Sequence, residues 1–175
     1  MTPEFSRAHR LDQIGTGESN VAIEADERER AALARRFDLV ALDRLAANFV
    51  LRRDAAGVRA AGHLSAAVTQ SCGVTGEPLP AKIEEDFAIR FLPEPTEDES
   101  HDEIELAEED LDTVFYTGSA LDLGEAAAET LALALDPFPR SPNAAAALKQ
   151  AGVISEEEAG PFGALAGLKD KLGKK

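Results

Sequence analysis

The sequence predicts an α+β fold: an antiparallel sheet or partial β-barrel from the central strands, flanked by helices near 26–37 and 122–135. Three observations carry this. Apolar and polar residues alternate across residues 45–92, with two breaks rich in turn formers. A segment of helical spacing stands on either side of that region, each opening on a residue able to cap a helix. At 175 residues, 44% apolar and 29% charged, the chain is long enough for one domain with a real core.

Taken in order, residues 3–14 place Phe5, Leu11 and Ile14 among charges and read as an edge strand ending at the Gly15-Thr16-Gly17 turn. Asp26-x-x-Glu29 matches a capping box, in which the first side chain caps a free amide and the second reaches back. Leu33 and Phe37 follow at helical spacing, with Arg28, Arg30, Arg35 and Arg36 largely on other faces. The helix is expected to end near Phe37.

The period then changes. Leu45, Ala47, Phe49 and Leu51 fall on one side of a first strand, with Asn48 and Arg52 opposite. After the Asp54-Ala55-Ala56-Gly57 turn, Val58, Ala60, Gly62, Leu64, Ala66 and Val68 alternate with Arg59, His63, Ser65 and Thr69. Residues 71–78, Ser-Cys-Gly-Val-Thr-Gly-Glu-Pro, form the second break. In the third strand Ile83, Phe87, Ile89 and Phe91 point inward while Glu84, Asp86 and Arg90 point outward.

Thr113–Tyr116 reads as a short strand. Asp122-x-x-Glu125 is a second capping-box match and opens a helix in which Leu131 and Leu135 share a face. Pro137 and Pro139 stop it. The domain expectation is one α+β domain over 1–139, followed over 140–175 by a linker and a short docking helix near 161–168. Asn143–Gln150 has helical potential within that linker.

Charge is unevenly placed. The formal net charge is −15, yet residues 1–63 hold ten basic and ten acidic groups. Residues 94–112 hold eleven acidic groups and no basic one, with few apolar residues, and are expected to form a mobile loop or a docking segment for a basic partner. Phosphate neutralisation dominates non-specific RNA affinity, so a chain of this charge does not read as a broad RNA binder. No apolar stretch approaches the roughly 20 residues of a membrane helix, and the N-terminus lacks the pattern of a secretory signal. A single cysteine excludes an internal disulfide, and a cytoplasmic location is expected.

Few residues suggest chemistry. Cys72 lies in a turn where a thiol-redox or enzymatic role is conceivable, but it has no second cysteine for a metal site. His9, His63 and His101 stand at no metal-binding spacing, so neither a metal nor a cofactor is expected. Gly73-Val74-Thr75-Gly76 has the form of the KH-domain backbone clamp, but that loop joins helices, and its neighbours here are strand-like. An inter-strand turn is the favoured reading. Gly15-Thr16-Gly17 matches no phosphate-binding signature. Arg52, Arg53 and Arg59 cluster across the first hairpin as a small basic face suited to limited RNA contact, with Arg53 and Arg59 expected near each other. The alternative is a solvated sheet face.

Two stretches resemble the YceD family. Val68-Thr69-Gln70-Ser71-Cys72-Gly73-Val74-Thr75-Gly76-Glu77-Pro78-Leu79 is similar to its cysteine-containing turn followed by Glu-Pro and a strand, here with Phe87 and Phe91. Asp122-Leu123-Gly124-Glu125, then Glu129, Leu131, Leu133 and Leu135 to Pro137 and Pro139, resembles its Asp-Leu helix start, mid-helix Glu, aliphatic run and proline stop. Pro161 to Lys169 looks like the close of alphaproteobacterial members. The resemblance spans roughly residues 64–169. It implies a non-enzymatic factor supporting 23S rRNA accumulation and large-subunit biogenesis, with a large-subunit ribosomal protein or pre-ribosomal particle as partner. Many members carry Cys-x-x-Cys in the first motif, some with further cysteines near the C-terminus. Here position 75 is Thr and no cysteine follows, so any metal site of such members is absent.

Overall fold

The structure, a computed structural model, describes residues 3–95 and 112–153. In chain order its elements are β1 (Ala8–Arg10), a 3-10 turn (Leu11–Gln13), β2 (Ser19–Glu24), α1 (Glu27–Arg36), β3 (Ala41–Arg53), β4 (Val58–Ser71), β5 (Pro78–Pro93), β6 (Thr113–Tyr116), β7 (Ala120–Asp122), α2 (Leu123–Ala134) and α3 (Ala144–Gln150). The fold is α+β. Its main sheet is open, mostly antiparallel, with strand order β2-β3-β4-β5-β6; β1 and β7 form a separate two-stranded ladder.

The capping box forms as the sequence predicts. Asp26 accepts from the Glu29 amide, Glu29 accepts from the Asp26 amide, and the helix runs from Glu27 to a C-cap at Phe37. Glu29 does a second job by accepting both Arg7 guanidinium nitrogens at 2.6 and 2.8 Å, which ties the N-terminal segment to the helix start. Acidic residues in the first turn and Arg35 and Arg36 in the last suit the helix dipole.

Alternation sets the faces of the central strands. Leu45, Ala47, Phe49 and Leu51 of β3 and Val58, Ala60, Leu64, Ala66 and Val68 of β4 are buried on one side. Gly62, opposite Phe49, makes room on that side for Phe87 of β5: a Cβ at Gly62 would lie 2.0 Å from the Asn48 carbonyl oxygen and 2.6 Å from the Phe87 ring. The Phe49 and Phe87 rings meet at 4.9 Å between centroids, tilted by 59°. Helix α2 adds Leu123, Ala126, Ala127, Ala128 and Leu131 to the same core, together with Phe5 and Leu33.

Four features depart from or extend the periodic reading. β3 begins at Ala41 rather than near Leu45, with a register shift between Leu42 and Arg44 that breaks the alternation. β2 pairs with β3 from Ser19↔Leu51 to Glu24↔Ala46, and no strand was expected there. The N-terminal strand is only three residues long and pairs with β7, more than a hundred positions away. β6, expected as a strand, joins β5 in parallel, from Arg90↔Thr113 to Pro93↔Tyr116.

By contacts the chain divides into two compact units, which among the described residues are 3–70 with 80–95 and 112–137, and 71–79 with 138–153. The acidic segment expected over 94–112 lies outside the described residues except for Glu94, Pro95 and Asp112, as does the docking helix expected near 161–168. Among the described residues no helix is long and apolar enough to cross a membrane.

Candidate functional site

The Cys72 turn belongs to the second unit and is closed by backbone bonds. The Gly76 amide donates to the Cys72 carbonyl and the Cys72 amide to the Glu77 carbonyl, with Gly76 at φ 72°, a conformation that favours glycine. Pro78 opens β5. The buried Cys72 sulfur accepts from the Thr75 amide at 3.4 Å and the Ser141 amide at 3.2 Å. The Thr75 hydroxyl, then the Ser141, Thr75 and Val74 amides, bring the thiol down to about 6 against the opposing effect of burial.

Around the sulfur the polar groups satisfy one another. The Thr75 hydroxyl donates to Glu77 at 2.9 Å and lies 3.3 Å from the Ser141 hydroxyl, while Asn143 donates to the other Glu77 oxygen. Hydrogen bonds from Ser141, Thr75 and Asn143 hold the Glu77 carboxyl below its ordinary value. The Gly73 amide donates to the Pro139 carbonyl at 2.9 Å. Thr75, Glu77, Ser141 and Asn143 thus hold the turn by hydrogen bonding. Among the described residues no group of three or more His, Cys, Asp or Glu is placed to hold a metal ion.

The second motif lies on α2. Asp122 caps the helix by accepting from the Gly124 and Glu125 amides, and it also accepts from the Arg7 amide at 2.8 Å and the Ser6 hydroxyl at 2.6 Å. A Cβ on Gly124 would meet the Phe5 carbonyl oxygen at 2.5 Å, so the close pass of the N-terminal segment requires glycine here. Glu125 takes both ends of the Arg36 guanidinium, and Glu4 takes a third bond from it. Leu131 is fully buried, whereas Leu133 on the same helix is 83% exposed. Glu129 is exposed beside it, its carboxyl raised by partial burial and the neighbouring Glu125 against the pull of Arg36. Pro137 follows the helix end at Leu135.

The arginines do not form one face. Arg52 lies directly opposite Arg59 in the β3–β4 register, on the outer side of the sheet. Arg53 lies opposite the buried Val58, on the core side, and its guanidinium donates to the Leu11 carbonyl. Arg59 is therefore directly across from Arg52, while Arg53 pairs one position nearer the Asp54–Gly57 turn and stands diagonal to Arg59. Asp54 fixes that turn by accepting from the Ala56 and Gly57 amides and both ends of Arg90.

One polar cluster was not singled out from sequence. His63 on β4 contacts Asp86 at 2.6 Å through Nδ1 and Glu84 at 2.9 Å through Nε2, and the Ser65 hydroxyl donates to Glu84. Asp86 first, then Glu84, raises the imidazole pKa. The signal was present, since alternation put all four outward on strands that prove adjacent, but only the register joins them.

A profile of the family described as large ribosomal RNA subunit accumulation protein YceD matches residues 60–169. No curated protein and no solved structure matches the chain. The matched span begins within β4, takes in the Cys72 turn and the whole of α2, and covers more than half of the sequence. This chain belongs to the YceD family of large ribosomal RNA subunit accumulation proteins.

Proposed function

We propose that this protein supports 23S rRNA accumulation as a non-enzymatic cytoplasmic factor that works through protein contacts, with a large-subunit ribosomal protein or pre-ribosomal particle as its partner. The observation that carries the reading beyond the family description is electrostatic. The net charge is −15, and Arg7, Arg10, Arg36 and Arg90 are each engaged by carboxylates of the same chain. Groups already paired in this way are poor receptors for RNA phosphate.

The test is depletion of the protein in its host, with large- and small-subunit rRNA compared alongside sucrose-gradient profiles and a pull-down of the tagged chain. Selective loss of large-subunit rRNA and recovery of ribosomal proteins is the expected result. An unchanged rRNA ratio removes the functional reading. Loss of rRNA with no ribosomal protein recovered removes the mechanism.

A second reading, limited direct rRNA contact, is favoured by the Arg52–Arg59 pair. Arginine forks suit phosphate, and these two side chains share the outer face of the sheet. On this reading Arg52→Glu with Arg59→Glu abolishes binding of rRNA fragments and flattens its salt dependence.

A further inference from the structure

One stripe of α2 forms the acidic wall of a cleft with an apolar floor. Asp122, Glu125, Ala126 and Glu129 recur at helical spacing and therefore share a face. That face lines a cleft of about 310 Å³ against β6 and β7. Phe91 in its lining is buried, and Val114 and Tyr116 are partly buried and pack against the core. Val114 lies beside Phe91 in the parallel β5–β6 register, and Tyr116, next but one along β6, points the same way.

The carboxylates of the wall are not equivalent. Asp122 is occupied by the Ser6 hydroxyl and by the Arg7, Gly124 and Glu125 amides. Glu125 holds the Arg36 guanidinium, which Glu4 shares. Glu129 is exposed and makes no hydrogen bond or ion pair among the described residues. Residues 94–112, which precede β6, include no basic residue and so have no cation to offer it. Partial burial and the neighbouring Glu125 raise the Glu129 carboxyl above its ordinary value, a strain on the ionised form that an added cation relieves.

We propose that this cleft receives a lysine or arginine side chain of a partner protein, its charged head at Glu129 and its aliphatic stem along Val114 and Tyr116. The proposal rests on the reading that the chain acts through protein contacts, and it names the contact. Long basic side chains lay their stems on apolar surface and keep the charge at the rim, which matches this floor and wall. One inserted side chain meets both chemistries, because its stem and head differ along its own length. The aromatic surface of Tyr116 adds to the attraction for a cation. RNA phosphate would meet Glu125 and Glu129 as like charges, so the cleft selects a basic polypeptide.

The experiment titrates the isotope-labelled full chain with glycine pentapeptides carrying a central Arg, Lys, Gln or norleucine, and follows backbone amide shifts by NMR. The Arg and Lys peptides are expected to shift amides within 114–117 and 122–129, and the Gln and norleucine peptides to leave them in place. Glu129→Gln should weaken binding about fivefold, the upper end of what an exposed ion pair contributes. Glu129 is exposed, so the fold is kept. Glu18→Gln removes the same charge from an exposed residue just before β2, at the other end of the sheet order from β6, and should leave affinity unchanged. No binding, shifts spread beyond the cleft, equal binding of the neutral peptides or equal effects of the two variants overturns the proposal. Tighter binding at the same amides by a full-length variant with Lys169, Lys171, Lys174 and Lys175 changed to Gln would put the chain's own lysines in the cleft and overturn the assignment to a partner. Loss of large-subunit rRNA on depletion combined with any of those results removes this site and leaves the family role standing.

Discussion

The backbone amide of Ser141 donates to the sulfur of Cys72 at 3.2 Å, across 69 positions of sequence. This contact makes the cysteine turn and the segment after α2 one structural unit, and it explains how a lone thiol is kept in a turn. The sulfur is an acceptor for two amides, and the neighbouring hydroxyls bond to each other and to Glu77. A thiolate accepts such bonds more strongly than a thiol, so the turn favours the ionised form.

The first prediction follows from that sign. The Cys72 pKa is depressed in the folded protein to about 6, against an ordinary value of 9.0. The group's contribution to stability is therefore complete above pH 9.0 and declines as pH falls toward 6. Ultraviolet titration of the thiolate should show a midpoint near 6, absent from Cys72→Ser. A midpoint at the ordinary value would mean that the turn does not stabilise the anion.

Gly62→Ala should destabilise the fold by about 1–3 kcal/mol, because the added methyl must displace the Asn48 carbonyl or the Phe87 ring in a packed core. Gly17→Ala, with nothing within 4 Å of the new Cβ, is the matched control and should change stability by less than about 1 kcal/mol. Urea unfolding of both variants checks the contrast. Equal midpoints would show that Phe87 can move aside freely.

His63 should titrate above its ordinary value of 6.5. A group raised on folding contributes stability that is present below the unfolded pKa and is lost as pH rises through the folded one. Asp86→Asn should lower the midpoint more than Glu84→Gln, since Asp86 has the larger influence on the ring. Imidazole resonances followed by NMR against pH provide the measurement, and the reverse order would contradict the cross-strand geometry.

Two leucines of one helix should separate packing from contact. Leu131→Ala removes a fully buried side chain and should cost about 2–5 kcal/mol. Leu133→Ala, at 83% exposure, should cost under about 0.5 kcal/mol. Thermal and urea unfolding of the pair tests this, and a large stability loss at Leu133 would place it in the core instead of on the surface.

Local chemistry made much of the fold legible in the sequence. Asp26 and Glu29 announce α1 because a capping box involves only neighbouring residues, and both of its bonds are present. Alternation from Leu45 to Phe91 identified three strands and their inward faces, since side-chain direction follows from backbone period alone. The family resemblance was carried by the same two stretches, the Cys72 turn and α2, that lie within the matched span.

What sequence could not supply was partnership. The pattern in β4 points His63 and Arg59 outward without saying what stands across from them; the register joins His63 to Glu84 and Asp86 and sets Arg59 against Arg52. Three-residue β1 and β7 are too short to show a period, and they exist as strands because the N-terminal segment is held by Asp122, Glu29 and the space left by Gly124. The serine that reaches Cys72 lies past the helix and its prolines, where local pattern carries no information about distance in space. Local propensity depends on a few neighbours along the chain, whereas these pairings depend on how the core brings remote segments together. The sequence by itself therefore determined the elements, their inward faces and the family; the tertiary structure alone decided the sheet order and the polar clusters.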